Sequence, residues 1–283
     1  TDEAKDKNFS GKYVKLTNDI DLGGTNPTVT KTPSGDKFDI SITGSASNVW
    51  VPIGNGSNNF RGTFDGDGHE VSNMTALVKA TSSFVYAGLF GYVYGGSIKN
   101  TGVTGNVYVS SSSVIYAGGL VGNIVGDVSN SYATGNVYAF ASSSSSPSLY
   151  SLAGGLVGGS SVGSISASYA TGNVYTYSSL ASSRGGGLTG FSGSSISDSY
   201  ATGNAYASSS SSSSSSEVYA GGLVGYNNSR GSITNSYSAG NVSAYFSSSS
   251  SSEVYAGGLV GDINNSSSIS NSYYYSKATI DGG

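Results

Sequence analysis

The chain lacks cysteine altogether, and it has four prolines and one histidine among 283 residues. Without cysteine there is no disulfide framework and no thiolate metal site. The lone histidine, His69, leaves every later serine without a histidine base, which a serine nucleophile needs. Charged residues make up only 10%, where an ordinary domain carries about 25%. So little charge argues against a chain kept disordered by its own repulsion. The net charge of −4 offers no Lys/Arg footprint, so nucleic acid is not expected as a partner. No apolar run approaches the roughly 20 residues that span a bilayer, and no amphipathic helix is written, so no membrane insertion is expected within this chain. The opening "TDEAKDKNFSG" is not a signal peptide, which puts any export signal or wall anchor outside the chain.

What the sequence does have is glycine, 43 residues of it, and repetition. "NSYATGNVYA" at 130–139 returns as "ASYATGNVYT" at 167–176 and "DSYATGNAYA" at 198–207. A glycine-leucine step recurs at Leu89, Leu120, Leu156, Leu188, Leu223 and Leu259, at intervals of 31, 36, 32, 35 and 36 residues. Each unit reads as three β-prone pieces, "YAGGLVG", "SISNSYATG" and "NVYA", followed by a serine-rich return. Ankyrin and TPR units of similar length need helix formers that are absent here, and a propeller blade needs about 40 residues or more. The reading is all-β: a solenoid with three short strands per coil and about six coils.

In such a coil equivalent residues stack about 4.8 Å apart. Strand alternation sends Leu120, Leu156, Leu223 and Leu259 inward, joined by Val128, Ile165, Ile196, Ile233 and Ile269, and by Val137, Val174 and Val242. Ser131 and Ala133 are small enough to face inward near a corner. Tyr132, Tyr169, Tyr200, Tyr237 and Tyr273 then form an outward column, the first candidate binding or stacking face. Tyr108, Tyr138, Tyr175 and Tyr206 form a second, and Tyr86, Tyr116, Tyr219 and Tyr255 a third. Alternation leaves open which way the last two columns point. The serine tracts, Ser110 to Ser113, Ser142 to Ser146, Ser208 to Ser216 and Ser247 to Ser252, read as solvated corner loops or as glycan acceptors. Seven Asn-X-Ser/Thr sequons, at Asn8, Asn55, Asn73, Asn227, Asn241, Asn264 and Asn265, add a further acceptor set.

"AGGLVGYNNSRGSITNSYSAGNV" (220–242) resembles the GLUG-motif repeat of bacterial and archaeal secreted and cell-surface proteins. Six copies cover 81 to about 276, and "FSGKYVKLTNDIDLGG", "WVPIGN" and "FRGTFDGDGHEVSNM" resemble the segment that often precedes them. The resemblance implies a right-handed parallel β-helix; its charged first part, residues 1–80, reads as an N-terminal cap and 81–283 as its body. It also implies a place in an adhesin, a filamentous-haemagglutinin-like exoprotein or the non-catalytic part of a surface protease. The location implied is extracellular, at the cell surface. Two departures, "AGLFG" in the first copy and "RGGGLTG" in the fourth, predict irregular coils there.

Candidate chemistry is sparse. "DGDGHE" (65–70) holds Asp65 and Asp67, alternate carboxylates that suit a hard cation, but the remainder of an EF-hand loop is missing and Asp-Gly turns explain the cluster. The acids of the repeat body share no coil position except Glu217 and Glu253, and two glutamates without a partner base form no acid-base pair. The expectation is therefore a non-enzyme without cofactor. Its exposed tyrosines would stack on sugar rings or on a host or neighbouring-cell surface. The alternative is a homo-oligomer or filament joined end to end, because open solenoid ends expose strand edges and "SYYYSKATIDGG" carries no evident cap. A threonine column, Thr104, Thr134, Thr171 and Thr202, would suit ice binding but ends at Ala239.

Overall fold

The structure is a computed structural model and describes residues 8–34, 37–43, 45–81, 84–142, 150–179, 182–211, 216–228, 231–247, 253–264, 266–275 and 277–282. Parts of three serine tracts (143–146, 212–215 and 248–252) and the sequon at Asn265 lie outside them.

The described chain winds as a parallel β-solenoid with three faces and no helix. The first face is a six-stranded sheet made of Phe84–Ala87, Val114–Gly118, Tyr150–Gly154, Ser182–Gly186, Glu217–Gly221 and Glu253–Gly257. A second face carries the "LVG" and "SIS" pieces, and a third carries "YA" and "NVYA". In the early coils these two faces run as long strands, Phe90–Lys99 and Gly102–Ser111; in later coils each breaks into two short ones. Register advances by one coil throughout, so that Tyr132 pairs with Tyr169, and Tyr169 with Tyr200. Among the described residues the only antiparallel pair is a hairpin, Thr28–Ser34 with Lys37–Thr43.

Both predicted irregularities are absorbed. Ser182–Gly186 pairs in register on both sides, which places Arg184 opposite Leu152 and Tyr219. The first coil is one residue short, yet Phe90 still donates its N–H to the Leu120 carbonyl at 2.9 Å. The missing glycine is taken up in the bend without loss of the ladder.

The leucine column fills the interior, with Leu120, Leu156, Leu188 and Leu223 fully buried. Val128, Ile165, Ile196 and Ile233 line a second wall, and Val137, Val174 and Val242 a third. Burying a side chain of this size is worth about 1.5–3 kcal/mol. Ile269 departs from the expected core: it is 42% exposed, because it sits on the last described coil, where no further coil covers it. At the other end Phe60, Phe64 and Phe90 plug the core, with ring centres 5.1–5.2 Å apart.

Mid-way along, the interior turns polar. Ser151, Thr176 and Ser183 are buried and bonded to one another, with Thr176 donating to the Ser151 hydroxyl at 2.7 Å. This seam separates the long apolar cluster from a smaller one around Val218, Val242 and Phe246. Several tract serines belong to the interior and not to slack solvated loops. Ser111, Ser113, Ser209, Ser211 and Ser216 are buried, and the Ser216 and Ser211 hydroxyls are 2.7 Å apart.

Candidate functional site

The repeated decapeptide builds a corner and two columns. At each corner one residue takes a left-handed conformation: Asn100, Asn130, Ala167, Asp198, Asn235 and Asn271, at φ between 46° and 51°. Asn and Asp tolerate this region best among residues with a Cβ. After Asn130, Ala167, Asp198 and Asn235 the next residue is a buried serine whose hydroxyl donates back to the carbonyl two residues earlier, as Ser131 does to Ser129 at 2.7 Å; Thr101 and the less buried Ser272 make the same bond at the first and last of these corners. The same oxygen accepts the backbone N–H of the preceding coil. Ser131, Ser168, Ser199 and Ser236 thus each donate N–H to the serine oxygen one coil further on, at 3.1–3.2 Å. After the Thr-Gly turn a second ladder runs in the opposite sense. The side-chain oxygens of Asn106, Asn136, Asn173 and Asn204 accept the N–H of the next coil's asparagine at 2.8–2.9 Å.

These ladders hold the tyrosines in line. Tyr132, Tyr169, Tyr200 and Tyr237 stack on the outer surface with ring centres 4.8–5.0 Å apart and planes within 8° of parallel. The stack begins over Gly102, where any Cβ would meet the Tyr132 ring, and there the Tyr132 hydroxyl donates to Glu70 at 2.8 Å. Burial, reinforced by Glu70, pushes Tyr132 up to about 12. Exposure grows along the column, to 43% at Tyr237 and 71% at its register partner Tyr273. The threonines at 134, 171 and 202 and Ala239 are exposed beside it.

The second column also stacks, at 4.9–5.2 Å, but it is covered. Tyr108, Tyr138 and Tyr175 point outward and are nonetheless buried, with Val29 and Ile42 of the hairpin packed against the cluster. Tyr206 is half-buried at its edge. Tyr108, pushed up to about 12 by burial, stays protonated at neutral pH.

The third column lies in a re-entrant bend. At Gly118, Gly154, Gly186, Gly221 and Gly257 a Cβ would run into the carbonyl three residues later, and at Gly119 it would meet Ala133 and the Gly155 backbone. Only glycine lets the chain fold back so closely. The bend turns outward-facing residues on its two sides toward each other: Tyr86 meets Tyr92 at 5.0 Å, and Tyr219 meets Tyr226 at 5.1 Å. Register along one wall reads Tyr86, Tyr116, Leu152, Arg184, Tyr219, Tyr255. Arg184 stands among Tyr150, Phe191, Tyr219 and Tyr226 at 4.6–6.0 Å from their centres, with Glu217 at 3.8 Å. Glu217 pairs in register with Glu253, which accepts the Tyr255 hydroxyl at 2.6 Å.

Asp65 and Asp67 are engaged within the protein. Asp65 is buried and accepts from Tyr13, from Asn100 at 2.9 Å and from the Asp67 N–H at 2.9 Å, with the Lys99 amine at 3.2 Å. The Tyr13 hydroxyl, followed by Asn100, holds its carboxyl well below the usual range. Asp67 pairs with Lys15 at 2.8 Å, and His69 faces Asp19 at 3.0 Å. Among the described residues no three His, Cys, Asp or Glu side chains gather as a metal set.

Comparison with known protein families matches the GLUG motif to residues 113–138 and 216–243. The chain carries GLUG repeats. Both matched stretches run from the first-face strand through the glycine bend to the tyrosine corner, so the motif covers the part of the coil with least steric freedom. Comparison with curated proteins found no match.

The GLUG pattern announced the columns but not what holds them. The serine and asparagine ladders were legible only as recurrent small or polar letters. The hairpin that buries the second column comes from residues outside the repeat. Asn227, one of the sequon asparagines, is buried, with its amide donating to the Gly231 carbonyl at 3.1 Å.

Proposed function

We propose that this GLUG solenoid is a non-enzymatic extracellular surface module, an adhesin or stalk, that meets a host or neighbouring-cell surface, glycans included, through its tyrosine column. The observation that carries this reading is the stack from Tyr132 to Tyr237, a rigid outward strip of aromatic edges and hydroxyls. Tyrosine presents apolar area and a polar tip at low entropic cost, which suits recognition. The reading involves neither metal nor cofactor. His69, the one histidine, is engaged with Asp19.

Beads coated with the protein are tested for attachment to cultured epithelial cells, against the triple variant Tyr169→Ala, Tyr200→Ala, Tyr237→Ala. Attachment is expected to be lost while the circular dichroism spectrum is kept. Full attachment by a folded triple variant sinks the proposal.

A second reading, a filament subunit joined end to end, draws on the last described coil. There Ile269, Tyr273 and Ile280 are 42%, 71% and 56% exposed on strands whose register would accept another coil. Tyr274 partly covers that end, its ring lying against Gly258. Electron microscopy showing only short single particles at every concentration and salt tried removes this reading.

A further inference from the structure

At the start of the re-entrant bend lies an open pocket of about 780 Å³, lined by Phe84, Tyr86 and Tyr92 on one side and by the loop Asn55, Gly56, Ser57 and Asn58 on the other. Its size is within the range of about 300–1,000 Å³ common for small-molecule sites. Two features make it a shaped site. The aromatic side is rigid: Tyr86 stacks on Tyr92 at 5.0 Å and on Tyr116 at 5.3 Å, and Phe84, 54% exposed, lies parallel to Tyr86 within 20°. The loop is rigid too, because the Asn55 side-chain oxygen accepts the N–H groups of Ser57 and Asn58 at 3.0 and 2.9 Å. That leaves the Asn55 amide nitrogen, the Ser57 hydroxyl and the Asn58 amide at the rim.

We propose that this pocket binds a neutral saccharide, one ring seated on the Phe84–Tyr86–Tyr92 side and its hydroxyls on Asn55, Ser57 and Asn58. The apolar C–H face of a pyranose is weakly positive and suits the negative face of an aromatic ring. Amides and a hydroxyl both donate and accept, as sugar hydroxyls do. None of the described lining residues is an acid or a base, and the neighbouring Arg61 is engaged over the Tyr94 ring with its Nε donating to Asn59 at 2.8 Å, so no group of the lining compensates a sialic acid, a uronic acid or the charged flanks of a peptide. The site is separate from the Tyr132 column and stands or falls without it.

The test is affinity electrophoresis of the whole chain through gels holding galactomannan, xylan or hydroxyethyl cellulose, with polygalacturonate as the acidic control and decaproline titrated by calorimetry. Retardation is expected in at least one neutral gel and in none made with polygalacturonate. Phe84→Ala removes the exposed ring. Gly56→Leu fills the pocket from the loop, since a Cβ there has only the Tyr86 ring near it, at 3.6 Å. Each should weaken the interaction about tenfold or more with no change in melting temperature. The Tyr169, Tyr200, Tyr237 triple variant should bind saccharide as the parent does, which separates this outcome from that of the adhesion test. The proposal is overturned by no retardation in any neutral gel, by retardation that survives both pocket variants, or by binding of polygalacturonate or decaproline in place of neutral glycans.

Discussion

The Arg184 guanidinium lies 4.6 Å from the centre of the Tyr226 ring and 5.3 Å from that of Tyr219, in a register position that four other coils give to tyrosine. A planar, weakly hydrated cation can replace an aromatic ring in a stack, whereas an ammonium cannot.

Arg184→Lys is therefore expected to lower stability by about 1–2 kcal/mol, through lost stacking among the surrounding rings. Arg184→Tyr should cost less, because it continues the Tyr219–Tyr255 stack and removes a buried Nε that has no partner. Urea midpoints of the two variants decide the order. A lysine variant as stable as the parent would show the stacking to be idle.

Ala167 holds a left-handed conformation, φ 46°, at a corner where four of the five equivalents are asparagine and one is aspartate. Its side chain is exposed, so a larger residue has room. Ala167→Asn should stabilise the chain by roughly 1 kcal/mol, because a short amide side chain hydrogen-bonds locally and offsets the cost of the left-handed conformation, which alanine cannot do. A thermal melt at unchanged pH and salt is sufficient, and a lower melting temperature contradicts the account.

Ser168→Ala removes a hydroxyl that accepts the buried Ser131 N–H at 3.1 Å and donates to the Ser166 carbonyl at 2.7 Å. The stranded donor should cost about 1–3 kcal/mol. Ser195→Ala, on the exposed surface, should stay within about 0.5 kcal/mol of the parent. Equal effects at the two sites would mean that the ladder contributes nothing beyond packing.

Stability should decline at both extremes of pH. Tyr86, Tyr108 and Tyr132 are held protonated to about 12, Tyr86 and Tyr108 chiefly by burial and Tyr132 by burial and Glu70. An unfolded tyrosine ionises near pH 10, so above that the unfolded chain holds fewer protons and stability falls as pH climbs to about 12. Asp65 acts in the other direction: its contribution is present above about pH 4 and is lost as pH falls further. Tyrosinate absorbance near 295 nm should rise late in the folded protein and early in urea. Coincident titrations would refute the alkaline half.

The period of the repeat and the alternation within it made the interior legible, down to Leu120, Ile165 and Val137. Alternation could not say what lies outside an outward residue. Alternation sends Tyr200 outward and leaves Tyr138 open; Tyr138 belongs to a buried cluster against which Val29 and Ile42 pack, whereas Tyr200 forms part of an open strip. The hairpin is distant in sequence from the column it covers, and no periodic signal connects them. Likewise the groove at Tyr86 and Tyr92 depends on the bend direction at Gly88, which glycine permits without dictating. Arg184 looked like a break in the pattern because letters were compared, whereas the stack selects for flatness.

The two ladders also set a rule for length. Each coil is tied to its neighbours by the same pair of side-chain bonds, and Ser168 and Ser199, 31 residues apart, hold interchangeable places. A gene duplication or loss of one whole unit therefore leaves every column continuous, while a slip of a single residue breaks both ladders at once. Selection can adjust the reach of such a molecule in whole-coil steps without redesigning any contact.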